Sequence, residues 1–127
     1  MAKVFAGAWR WRFLHGLYAA LILVVSSVPS SDLPQEVALV SDKLLHFGEY
    51  LVLGLLGGWA YLRYKPSLFL LLLGFGLAFS GLDEYWQSHV SGRNSDIFDF
   101  LADVAGYLTG IIIVSCYCKT LSRNMIP

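Results

Sequence analysis

Four stretches of the chain are apolar enough to stand apart from the polar positions between them: residues 13–28, 44–64, 68–86 and 97–117. A helix rising 1.5 Å per residue needs ~20 mostly apolar residues to cross a hydrocarbon core ~30 Å thick. The last three runs have that length; the first reaches it only by starting near Trp9. Turn signals separate them: Pro66 between the second and third runs, Gly92 between the third and fourth, and Pro29 and Pro34 in the stretch 26–41. That stretch suits an irregular or re-entrant cap. The pattern predicts an all-α fold, a polytopic membrane protein with a four-helix transmembrane bundle. A single domain covers residues 1–127, with helices at about 10–28, 43–64, 67–88 and 96–118.

Composition agrees, because at 57% hydrophobic residues in 127 positions too little polar surface remains to cover a water-soluble fold. Charge then supplies orientation. Lys3, Arg10, Arg12, Arg63, Lys65, Lys119 and Arg123 flank one set of helix ends, and only Lys43 and Arg93 flank the other. Basic residues in short loops stay cytoplasmic, so both termini and the turn at Pro66 are expected in the cytoplasm of a multi-pass cell-membrane protein. All nine acidic residues, Asp32, Glu36, Asp42, Glu49, Asp83, Glu84, Asp96, Asp99 and Asp103, belong to the opposite half. The formal net charge of zero hides nine acids against two bases there. The first run can also be read as a signal peptide, which would leave three spans, but Pro29 crowds the mature start and an A-x-A site is missing. Cys116 and Cys118 are two apart near the cytoplasmic end of the last helix, on different faces, and read as lone apolar thiols.

At 100° per residue, Asp96, Asp99, Asp103, Gly106 and Gly110 share one sector of the fourth helix. Glycines one turn apart let a neighbouring backbone approach closely, so the acidic end of that stripe is expected to face the bundle interior. The second helix repeats the design with Asp42, His46, Glu49, Leu53 and Gly57, bordered by Lys43 and Tyr50, and with Gly54 and Gly58 as a further small pair. On the third, Gly76, Ser80, Asp83 and Gln87 share a sector with Glu84 at its edge. Glu49 and Asp103 lie ~10 Å deeper than Asp42 and Asp96. A carboxylate at the bilayer centre costs ~3 kcal/mol on insertion scales, so these groups must be paired, protonated, metal-bound or wetted.

A purely structural reading uses Lys43 and Arg93 to neutralise two carboxylates and Gln87, Ser80, Tyr50 and Asn94 as interhelical glue. Hydrogen bonding between helices, however, requires far fewer ionisable groups. The functional reading gathers Asp42, Lys43, His46, Glu49, Tyr50, Asp83, Glu84, Gln87, Arg93, Asp96, Asp99 and Asp103 into one binding site opening outward. Within it, His46, Asp83 and Glu84 are the catalytic candidates, and Asp83, Glu84, Asp99 and Asp103 are the metal-ligand candidates. An oxygen-rich set suits Mg²⁺ or Ca²⁺. His46 lies one turn from Asp42 and can either ligate or move a proton. His89 reads as a solvated turn residue, and His15 as part of an interfacial belt with Trp9 and Trp11. Arg93 can clamp an anion or lock the turn by bonding Asp96 or Asp83, with Asn94 or Ser95 capping the next helix.

The segment Asp42-Lys43-Leu44-Leu45-His46-Phe47 followed by Tyr50, then Asp83-Glu84-x-x-Gln87, then Gly92-Arg93 with Asp96, Asp99 and Gly106, resembles the VanZ-like family of small membrane proteins. Ser26-Ser27-Val28-Pro29 fits as well, and at Asp103 the family pattern more often has Asn. The resemblance runs from about Leu21 to Ile113 and implies four membrane helices. Through the family's namesake it also implies low-level tolerance of the glycopeptide teicoplanin.

Three functions are then in view. The first is an envelope protein binding an amphiphilic or cationic partner, such as a glycopeptide, from the lipid bilayer. The second is a metal-dependent enzyme acting on a lipid or polyprenyl headgroup, against which stands the lack of a nucleophile motif such as G-x-S-x-G. Ion transport, the third, is weakened because the cytoplasmic halves of the four helices offer no matching polar path. Nucleic acid is not an expected partner.

Overall fold

The structure is a computed structural model that describes residues 2–32, 42–93 and 95–124. Every regular element among the described residues is helical. Helix α1 spans Ala2–Ser26 and is followed by a 3₁₀ turn, Ser30–Asp32. Helix α2 spans Asp42–Gly57 and runs on through a π-helical turn, Gly58–Leu62. A 3₁₀ turn at Pro66–Leu68 leads into α3, Phe69–Gln87, and α4 spans Ile97–Asn124. The first helix therefore starts well before Trp9. Pro34, Glu36 and the remainder of the cap predicted over 26–41 lie largely outside the described residues, as does Asn94.

Local chemistry explains the ends. Pro66 opens its turn at a position where a missing N–H costs nothing, and Gly92 takes a positive φ of 73° to reverse the chain between α3 and α4. Asp96 rather than Ser95 caps α4, its Oδ1 accepting the Phe98 N–H at 2.9 Å. A carboxylate is the better choice there, since it meets both a free N–H and the positive end of the helix dipole.

Contacts at both ends define the topology. Trp11 stacks on Trp59 and Trp59 packs on Tyr117, which joins the start of α1 to the ends of α2 and α4. Ser26 and Ser27 meet Gln87 and Trp86 at the opposite end, and Lys43 there reaches Asp96 and Asp99. The helices thus alternate in direction, with α2 and α4 parallel and more extensively packed than any other pair.

Glycines make that pairing possible. A β-carbon at Gly106 would strike the Phe47 carbonyl, and one at Gly110 would lie 2.6 Å from both Leu51 O and Leu55 N. The small residues expected to continue the polar faces inward do so: Gly76 lies under the Tyr107 ring, and Gly57 faces His15 and Tyr107. Tyr50, Leu53, Leu62, Leu72, Tyr107 and Ile111 fill the core. Large apolar side chains point outward instead, including Phe13, Leu17, Leu70, Leu71, Leu101 and Ile113. Among the described residues two segments, Pro66–Gln87 and Ile97–Arg123, are long and apolar enough to cross a membrane.

Candidate functional site

The inward sectors of α2, α3 and α4 bring a polar cluster together at the end where α4 begins. Asp83, Asp103 and Ser80 are fully buried, and His46, Glu84, Gln87 and Asp99 are nearly so. At the centre stands the His46 imidazole, with Nδ1 2.9 Å from Asp103 Oδ1 and Nε2 4.0 Å from Asp42 Oδ1. Asp83 Oδ2 accepts the Tyr50 hydroxyl at 3.3 Å and the Gln87 amide at 3.4 Å, and Gln87 also donates to Ser26 Oγ. Asp83 Oδ1, Asp103 Oδ2, Glu84 Oε1 and Ser80 Oγ have no partner among the described residues.

A second layer lies nearer the surface. The Lys43 ammonium donates to Asp96 Oδ2 at 2.9 Å and to Asp99 Oδ1 at 3.0 Å. The Asp96 backbone N–H donates to Glu84 Oε2 at 3.0 Å, which ties α3 to the start of α4. The Phe98 amide, and then Lys43, hold the Asp96 carboxyl below the usual carboxylate range. Lys43 is therefore a cation that neutralises the outer acids and leaves the inner ones to His46.

Several sequence expectations are altered by this arrangement. Tyr50, expected at the border of α2's polar face, is fully buried at its centre, while Glu49 is half-buried at the edge and Asp42 is exposed. The face turns because Gly54 must lie against the Tyr107 backbone. Arg93 locks the turn, but through neither Asp96 nor Asp83: its guanidinium donates to the carbonyls of Val28 at 3.3 Å, just past the end of α1, and Val25 at 3.5 Å, the second of which also accepts the Val28 N–H. The four carboxylates expected to share a metal do not gather, since Glu84 turns to the Asp96 amide. The described residues instead place two trios within 4.8 Å, His46 with Asp83 and Asp103, and Asp42 with His46 and Asp99.

His15, expected in a belt with Trp9 and Trp11, is buried. Four residues beyond Trp11 on the same face, it is buried between the rings of Tyr61 and Phe75 at 5.8 and 5.2 Å. Tyr107, one turn below Asp103, brings its hydroxyl toward the same glycine, Gly57. The signal was its position four residues after Asp103, on the stripe already traced by the acids. An apolar groove of about 710 Å³ runs beside His15 between α1 and α3, lined by Arg12, Tyr61, Phe75 and Phe79. At the acidic end Glu84, Ser95, Asp96, Ile97 and Phe100 line a more open cleft. His89 is exposed in its turn, and Cys116 and Cys118 are free.

No curated protein and no solved structure matches the chain. A family model described as VanZ/LLP1 does, over residues 7–119, a span that includes α2 and α3, most of α1 and α4, and every member of the buried cluster. With the Asp-Lys-Leu-Leu-His segment, the Asp83-Glu84 pair and the Gly92-Arg93 turn all inside the matched region, the chain belongs to the VanZ/LLP1 family of membrane proteins.

Proposed function

We propose that the protein crosses the cell membrane four times, with both termini cytoplasmic, and that its polar cluster serves a ligand arriving from the external side. The observation that carries this reading is the inversion of polarity: apolar side chains cover the outside of the helices while Asp83, Asp99, Asp103 and His46 are buried together. In lipid no hydrophobic force draws helices together, so small residues and interhelical polar contacts do that work. The seven-to-two division of basic residues supports the orientation. A local surplus of carboxylates behind a single lysine favours a cationic or amphiphilic envelope ligand, and tolerance of teicoplanin-type glycopeptides is the phenotype in which it acts. The test is expression in a susceptible host: teicoplanin tolerance rises with the native chain and falls back with Asp83→Asn at equal membrane abundance. Unchanged tolerance with the native protein present in the membrane would refute it.

A second reading, a metal-dependent enzyme acting on a lipid or polyprenyl headgroup, is favoured by one observation. His46 stands beside two buried carboxylates, each with an oxygen that no described group engages.

A further inference from the structure

We propose that His46, Asp83 and Asp103 form a binding site for a first-row transition dication, in place of the hard cation that an all-carboxylate set would select. The proposal rests on reading the buried cluster as a ligand site, and three observations carry it.

Charge comes first. Asp83 and Asp103 are both fully buried, yet the described groups bonded to them are one imidazole, one phenol and one amide. Lys43 is engaged with Asp96 and Asp99. A dication neutralises the two inner carboxylates together, and a buried charge without such compensation is strongly disfavoured.

Bonding comes second. Asp83 offers one oxygen to Tyr50 and Gln87, neither of them a ligand, while its other oxygen has no partner among the described residues; Asp103 meets only His46, itself one of the three ligands, and its Oδ2 also has no partner there. One oxygen held by neighbours and one left over is how a carboxylate ligand is oriented by the groups around it.

Geometry comes third. One ligand atom from each of the three residues falls within 4.8 Å of the others. Bonds of about 2.1 Å at tetrahedral angles put ligand atoms ~3.4 Å apart. The 2.9 Å hydrogen bond between His46 Nδ1 and Asp103 Oδ1 is exchanged for bonds to the ion, and its proton is released to solvent as the ion enters. The other trio, Asp42, His46 and Asp99, is a poorer site because Asp42 is exposed and Asp99 is already held by Lys43.

The donor set decides the class of ion. One imidazole nitrogen with two carboxylates suits Zn²⁺ and its first-row neighbours, whereas Ca²⁺ takes six to eight oxygens and Mg²⁺ demands octahedral oxygen geometry. Three protein ligands leave a position open, which a structural zinc site does not.

The test uses the purified full chain in detergent, stripped with a chelator and titrated with Co²⁺. Ligand-field absorption should saturate at one equivalent, be displaced by Zn²⁺, and resist excess Mg²⁺ or Ca²⁺. His46→Gln, Asp83→Asn and Asp103→Asn should each weaken Co²⁺ binding at least tenfold, while His89→Ala leaves it unchanged. Should the three variants fail to fold, X-ray absorption of the Zn²⁺-loaded native protein supplies the same answer, with one imidazole in a nitrogen and oxygen shell. Absent bands, displacement by Mg²⁺, loss of binding with His89→Ala, or a sulfur shell from Cys116 or Cys118 would each overturn the site. Tolerance is measured separately in cells, so a protein that confers it without binding Co²⁺ sinks the metal site and leaves the envelope reading standing.

Discussion

The seam between α2 and α4 can be tested with a single methyl group. In Gly110→Ala the new β-carbon would lie 2.6 Å from Leu51 O and from Leu55 N, both backbone atoms that cannot rotate away. Ordinary contact needs ~3.5 Å, so the helices must part by roughly 0.9 Å. Overpacking of this kind costs ~1–3 kcal/mol. Alanine recovers ~0.5–1 kcal/mol as the better helix former, leaving a net loss of ~0–2.5 kcal/mol. Gly74→Ala is the matched control: its β-carbon meets nothing within 4 Å, so only the helix-propensity gain remains. Equilibrium unfolding of both variants in mixed micelles, followed by far-ultraviolet circular dichroism, should separate them by ~1–3 kcal/mol. The same seam carries the 2.9 Å contact between His46 and Asp103, which a comparable parting would stretch beyond hydrogen-bonding range. A Gly110→Ala protein as stable as Gly74→Ala would refute the close approach, and with it the argument that glycines set the geometry of the cluster.

Other consequences can be measured independently. Tyr107→Phe removes a buried hydroxyl that has no partner among the described residues, so stability should change by no more than about 0.5 kcal/mol or rise; a loss above about 1 kcal/mol would mean that the hydroxyl is bonded. Arg93→Ala should lower unfolding free energy by about 1 kcal/mol, because it releases two long hydrogen bonds to the end of α1, and an unchanged value would dismiss the lock. Asp96 has a lowered folded pKa, so its stabilisation is complete above the unfolded value of about 4 and disappears as pH falls through the folded one. Thermal melts of Asp96→Asn should therefore lose part of the acid-side slope of the native protein, and identical slopes would refute that linkage. Reporter fusions at either terminus and in the turn at Pro66 should all read cytoplasmic; one external terminus would overturn the four-span topology.

The polar faces were legible in advance because helical periodicity is simple and carboxylates in an apolar run are conspicuous. Asp83, Gln87, Asp99 and Asp103 are buried on the sectors expected of them, and Gly57, Gly76 and Gly106 continue those sectors. What periodicity cannot supply is the final rotation of a helix. Tyr50 rather than Glu49 faces inward because Gly54 must reach the Tyr107 backbone, a constraint between residues far apart in the chain. The targets of Arg93 were equally hidden, since every residue has a carbonyl and spacing along the chain does not say which of them the turn brings within reach. His15 was misplaced for a related reason: its ring is polar, but the face it shares with Ala8, Ala19 and Ile22 is the one α1 buries. The gathering of His46 with two rather than four carboxylates followed from Glu84 finding a backbone amide, which side-chain spacing does not announce.

The pairing of the second and third helices with the last also sets a clock on synthesis. Lys43, His46 and Glu84 find partners among Asp96, Asp99 and Asp103, and His46 is separated from Asp103 by 57 residues. At ribosomal speeds of roughly 5–20 residues per second, Asp103 follows His46 after about 3–11 s. During those seconds the nascent α2 and α3 hold polar side chains whose partners have not yet been made. On the proposed four-span topology, the insertion machinery must shelter them from lipid until α4 arrives, and the chain integrates as a packet released late rather than helix by helix. A ribosome that stalls between α3 and α4 leaves an orphan that quality control can recognise by its unpaired charges.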